Sequence, residues 1–163
     1  MAEEIVDVVA DRLHQPGAKS DTAHAALPGG DLADVQAEIG AASDMCGDVA
    51  LATHLVHWHG SGWRAIWALG ETAPHLRERV VPTSDAIHAE LLNAVRYEHA
   101  RTLADLLVRR THVAFESRDH GLGVAGAVAA LIAPVFGWDA AQRDAAVAEY
   151  RGEIQRLFAI DAE

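Results

Sequence analysis

Residues 120–134 read HGLGVAGAVAALIAP, and what they fold into decides the architecture of the chain. Gly121, Gly123 and Gly126 stand in a G-x-G-x-x-G spacing. In a dinucleotide-binding turn, that spacing lets backbone N–H groups approach a pyrophosphate. The same reading demands a strand before the glycines, a helix after them, a second parallel strand, and an acidic residue about 20 positions on for the ribose. Asp144 and Glu149 lie at suitable distances, but no parallel strand follows and too little chain remains to build one. The stretch reads instead as a nearly apolar, small-residue helix over 122–136, ended by Gly137, with Gly121 and Gly123 at its frayed start.

Working outward, the chain keeps this helical character. Asp139 caps a last helix over about 140–158, whose core side carries Ala145, Val147, Ala148, Ile154, Leu157 and Phe158. Upstream, 102–118 reads as one helix with Leu103, Leu106, Leu107, Val113 and Ala114 inward, and 85–97 as another, capped by Thr83 or Ser84 after Pro82. Trp63 to Ala68 and Pro74 to Arg79 suit short helices, and GSG at 60–62 breaks the chain before them. The segments 31–42, capped by Asp31, and 46–58 suit two more helices. Residues 3–13 form a short helix with Ile5, Val8, Val9 and Leu13 in one stripe, ended by Pro16 and Gly17, and QPGAKSDTAHAALPGG (15–30) is a linker. HVAFES (112–117) is the one stretch that could be forced into a strand, and a single strand has nothing to pair with. The fold class is therefore all-α: a compact domain of about seven or eight helical segments without a sheet.

Composition bounds the function. The 163 residues suit one domain with an appendage, and half of them are apolar. The net charge of −11 argues against a general nucleic-acid binder, which needs a cationic surface. No apolar stretch is long enough to span a membrane. The N-terminus is acidic and lacks a secretory n-region, and a lone Cys46 fits a reducing, cytoplasmic setting.

Two clusters carry candidate chemistry. HLVHWHG places His54, His57 and His59 within six residues. His54 and His57 share a helical face as metal ligands do, and a fourth ligand would come from His75 or His99. The plainer reading has His57 and Trp58 packing at a helix end and the other two solvated. The second cluster is cationic on an acidic chain: five arginines lie between Arg96 and Arg118 against Glu98, Asp105 and Glu116. Arg101, Asp105 and Arg109 follow at i, i+4 spacing, so Asp105 is placed between two guanidiniums, with Glu98 bridging from the preceding element and Arg110 alongside. The set Glu98, Arg101, Asp105, Arg109 and Arg110 reads as a structural charge network, or as an anchor for another domain or an anionic ligand.

The same stretch carries a resemblance. EHARTLADLLVRRT (98–111), then FGWDAAQRDAAVAEY (136–150), resembles the C-terminal helical domain of FAD-dependent glycerol-3-phosphate dehydrogenase, where the text runs roughly E-x-A-x-T-L-x-D-x-L-x-R-R-T and L-G-W-D. LPGGD (27–31), HWHGSGW (57–63) and Val80-Val81-Pro82 follow the family's order, and MAEEIVDVV (1–9) is similar to the segment closing its flavin domain. The family usually has R-Y-G where this chain has HWHG, and its helix after Ser117 is less rich in glycine. The resemblance implies a parent that oxidises sn-glycerol 3-phosphate to dihydroxyacetone phosphate and passes electrons through FAD to a quinone (oxygen in the related oxidase) at the cytoplasmic membrane face. It implies that residues 1–30 are the closing helix of a missing flavin domain plus a linker, and 31–163 the C-terminal all-helical domain. No catalytic or flavin-contacting residue of the family maps onto this chain, so the implied module is silent, holds no cofactor, and packs on the flavin and substrate domains or self-associates through helix 3–13. The rival expectation is a free-standing helical domain that uses His54, His57 and His59 to bind a metal or a protein.

Overall fold

A computed structural model describes residues 2–15 and 22–159. Among them run eight α-helices and no strand: α1 (Ala2–Arg12), α2 (Val35–Cys46), α3 (Val49–His59), α4 (Trp63–Ala68), α5 (His88–Tyr97), α6 (Val113–Glu116), α7 (Ala125–Phe136) and α8 (Ala140–Phe158). One isolated antiparallel bridge, Arg79 to Ile87, is the only β-type pairing in the described residues. The all-α reading therefore holds.

Side-chain capping sets the helix boundaries. Asp34, rather than Asp31, starts α2, its carboxylate accepting from the backbone N–H of Gln36 and Ala37 at 2.9 and 3.0 Å. Helix α2 then runs on to Cys46, beyond the expected end at 42, until Gly47 turns left-handed at φ 71°. Asp48 caps α3 by accepting from Leu51 N at 3.1 Å. Asp139 caps α8 as expected, exchanging hydrogen bonds with Gln142 in a reciprocal box. The expected stop of the first helix at Pro16 and Gly17 lies outside the described residues; α1 itself ends at Arg12.

Four expected helices are corrected. The segment 85–97 becomes helical only at His88, because the buried Ser84 hydroxyl accepts from Ala86 N and folds the approach into a turn. The segment 102–118 is not one helix. Its first half is a π-helical stretch, Asp105–Arg110, closed when the Thr111 N–H and hydroxyl both donate to Leu106 O at 3.0 and 2.8 Å. His112 then turns left-handed at φ 56°, and only the short α6 follows. The helix expected from 122 begins at Ala125, after turns through Gly121 and Val124. Likewise, Pro74–Arg77 is a 3-10 turn rather than an α-helix.

Packing centres on α5, which contributes to two clusters. Leu91, Ala94 and Val95 join Leu103, Leu106, Leu107, Val113, Val128, Ile132, Tyr150 and Ile154. Ile87, Ala89 and Leu92 join Leu51, Leu55, Trp63, Ile66 and Leu76 from α3, α4 and the 3-10 turn. A helix apolar on two sides can only be internal. Helix α1 is the opposite case. It buries no residue, and Ile5, Val8, Val9 and Leu13 are each half or more exposed.

Candidate functional site

The G-x-G-x-x-G turn can be tested directly as a phosphate site. Phosphate-binding turns offer unoccupied N–H groups. Here the Asp119 carboxylate accepts from Gly121 N at 3.1 Å and from Gly123 N at 2.7 Å, and the Ser117 hydroxyl also accepts from Gly121 N. The bonds from Gly123 above all hold the Asp119 pKa below the ordinary carboxylate value. A pyrophosphate would meet a fixed negative charge where it needs donors. Gly121 has its own reason: at φ 73°, a Cβ would stand 3.3 Å from the Tyr150 hydroxyl. That hydroxyl donates to His120 O at 2.6 Å and locks α8 onto the turn. These residues do not fit FAD.

The arginine cluster is a set of clamps between elements. Asp105 does not sit between two guanidiniums. Its Oδ2 accepts from the N–H groups of Arg101 and Thr102 at 2.9 and 3.0 Å, and its N–H donates to the Thr102 hydroxyl. Only Arg109 reaches its other oxygen, at 3.1 Å, while a second Arg109 nitrogen lies 3.4 Å from Glu153 on α8. The Arg101 guanidinium instead covers the Phe136 ring. Capping the entry to the π-helical stretch outcompetes the Arg101–Asp105 ion pair because the two N–H groups that open the stretch need an acceptor. Glu98 pairs with Arg110 rather than with Arg101 or Arg109: Arg110 Nε is 3.0 Å from Glu98 Oε2, and its Nη2 donates to Glu98 O at 2.9 Å. Asn93 Nδ2 donates to the other carboxylate oxygen at 2.7 Å. The clamp ties the end of α5 to the end of the π-helical stretch.

The histidines are brought together around a residue that the sequence reading missed. Glu90, in the first turn of α5, is 2% exposed. Its Oε1 accepts from His54 Nε2 at 2.9 Å and His59 Nε2 at 2.7 Å, and its Oε2 from Ile87 N at 2.7 Å. His57 is exposed, as are His75 and His99. Among the described residues no three His, Cys, Asp or Glu are arranged to hold a metal ion. The three-histidine set therefore does not form. Burial pushes the Glu90 carboxyl up, but the two imidazole hydrogen bonds outweigh it and hold its pKa below the ordinary value. Burial likewise opposes charge on His54, yet its hydrogen bond to Glu90 and that carboxylate's field lift its pKa above the ordinary value. A buried carboxylate stays charged only with such partners.

Glu90 and His59 form the floor of a cleft of about 710 Å³. Ile66 and Leu69 give it an apolar wall, Glu98 and Arg110 a charged rim, and Pro28 and Gly29 a lip. That lip belongs to the LPGGD stretch, which docks on the GSG turn. Ser61 N donates to Gly29 O at 3.0 Å, and the Ser61 hydroxyl bonds the Asp31 carboxylate. Gly60 sits at φ 54°, ψ −136°, and a Cβ there would be 1.8 Å from Gly29 O, so the two backbones meet only because both positions are glycine. The stretches 27–31, 57–63 and 98–111, far apart in sequence, thus line one cleft.

Comparison with known proteins agrees in direction. The family model for the C-terminal domain of alpha-glycerophosphate oxidase matches residues 20–143. A glycerol-3-phosphate dehydrogenase of Synechocystis sp. is 30% identical over 153 residues, 92% of this chain and 27% of that protein. Glycerol-3-phosphate dehydrogenase 2 of Mycobacterium tuberculosis is 31% identical over 102 residues, 63% of this chain and 17% of its own length. A mitochondrial glycerol-3-phosphate dehydrogenase of Schizosaccharomyces pombe is 38% identical over 66 residues, 40% of this chain and 10% of its own. The chain spans about a quarter or less of the length of these curated relatives.

Proposed function

The chain belongs to the family of the C-terminal domain of alpha-glycerophosphate oxidase, and on that premise we propose that it serves as the non-catalytic helical module of an FAD-dependent glycerol-3-phosphate dehydrogenase. The whole enzyme oxidises sn-glycerol 3-phosphate to dihydroxyacetone phosphate and delivers the electrons through FAD to a quinone at the cytoplasmic membrane face. The module holds neither flavin nor substrate. Its work is to pack against the flavin and substrate domains or to support self-association. The observation that carries this reading is the family match over residues 20–143. The closed glycine turn, whose N–H groups are spent on Asp119, supports the absence of a nucleotide site of its own.

Residues 1–30 act in this reading as the closing helix of a flavin domain and a linker, with the helical domain from 31 onward. The apolar stripe of α1, with Ile5 at 64% and Leu13 at 66% exposure, is a surface that a neighbouring body would cover. Two measurements test the proposal. Dye-coupled oxidation of sn-glycerol 3-phosphate by the purified chain supplied with FAD should be absent, and turnover would overturn the silent-module reading. Amide exchange across residues 3–13 in a monomeric sample should be fast; slow exchange there would place α1 against its own chain rather than against a missing partner.

A further inference from the structure

We infer that Glu90, His54 and His59 form a proton-operated latch that holds the GSG turn, and with it the LPGGD lip of the cleft, against the start of α5. The latch closes when one imidazole carries a proton. Two imidazole nitrogens converge on one carboxylate oxygen within 2.9 Å, and that carboxylate is almost wholly buried. Both histidines lie on α3 or at its end, while Glu90 lies on α5, so the contact spans two elements. One residue beyond His59 begins the turn whose Gly60 backbone abuts Gly29 and whose Ser61 donates to Gly29 O. Loosening Glu90 from His59 therefore loosens the lip.

The charges around the latch make it responsive near neutral pH. With one imidazolium present, the buried carboxylate has a counter-charge. With both imidazoles neutral, their N–H groups still donate, but the buried negative charge is uncompensated, a costly arrangement. Asp85, in the turn before α5, and Glu116, on α6, add negative field at His54. From the cleft side stand Arg109, Arg110 and Glu98, the arginines being committed to Asp105, Glu153 and Glu98. His54 also stacks on the Trp58 ring, which in turn faces His112 edge-on. His54, raised in the fold, contributes stability that is complete below the ordinary histidine value and is lost as pH rises through its folded pKa. Glu90, lowered in the fold, contributes stability that is complete above the ordinary glutamate value and is lost as pH falls through its folded pKa. The latch is fully closed between about pH 4.5 and 6.5 and slackens on the alkaline side.

The test is amide exchange of Ser61 at pH 6 and pH 8.5, corrected for intrinsic rates, together with imidazole NMR titration of the whole chain. Protection of Ser61 should fall about threefold or more between the two pH values, with His54 titrating above the ordinary histidine value. His54→Gln presents an amide N–H to Glu90 without a titrating proton and should flatten the dependence, and His59→Tyr should keep the lip ordered across the range. Protection that does not change with pH in the wild type, an unaltered dependence in His54→Gln, or a His54 that titrates at or below the ordinary histidine value would each overturn the latch. The last readout needs no variant to fold.

Discussion

Replacing Glu90 by leucine strikes the point where α3, α5 and the cleft meet, and its cost can be worked from the structure. The substitution removes three accepted hydrogen bonds, from His54 Nε2, His59 Nε2 and Ile87 N. Ile87 is fully buried, so its N–H has no route to water and costs about 1–3 kcal/mol as an orphan donor. The imidazoles are 14% and 13% exposed and can turn toward water in the cleft, which limits each loss to about 0.5–1.5 kcal/mol. Leucine recovers part of this by removing the burial cost of a carboxylate. The net expectation is about 3 kcal/mol of destabilisation, within the range for breaking a buried pair. Urea unfolding at pH 6, followed by helical circular dichroism, measures it: the midpoint should fall without a change in slope. Glu90→Gln, which keeps an acceptor but sets an amide donor against Ile87 N–H or an imidazole, should fall between leucine and wild type. A leucine variant within about 0.5 kcal/mol of wild type would mean that Glu90 does not hold α3 to α5, because a buried group with three donors on it is not that dispensable.

Other consequences follow from single residues. Gly60→Ala, with its Cβ driven into Gly29 O and a backbone region closed to side chains, should cost about 3 kcal/mol or more and abolish Ser61 amide protection. His99 is exposed and left-handed at φ 58°, so His99→Gly should raise the thermal midpoint, by roughly 0.5–1 kcal/mol in stability; a lowered midpoint would contradict the strain argument. Tyr150→Phe deletes the 2.6 Å bond to His120 O and should cost about 1–2 kcal/mol in urea unfolding, while leaving helix content unchanged.

How much of this could be read from the residues depends on how local each interaction is. The all-α class, the cap at Asp139, the limits of α4 and α8 and the exposed stripe of α1 all rest on patterns within one helix, and they were legible. The break at Thr111 was not, because a threonine bonding back to Leu106 looks in sequence like any other helical position. Asp105 shows the competition that spacing cannot resolve: it is at the right distance for two arginines, yet the N–H groups of Arg101 and Thr102 claim one of its oxygens first. The histidines were visible as a cluster, but their partner lies 31 and 36 residues away. One signal did point to it. Glu90 sits on the buried side of α5 between Ile87 and Leu91, where an acidic residue is tolerated only with donors waiting. The docking of LPGGD on GSG needs two glycine backbones to meet, which no periodicity encodes.

The proposal that this helical module has no flavin site of its own is open to direct measurement. Equilibrium titration of FAD with the purified chain, read by flavin fluorescence, tests it most directly. Emission should stay unchanged at every protein concentration. A saturable one-to-one change, lost when Gly121 and Gly123 are replaced, would contradict it.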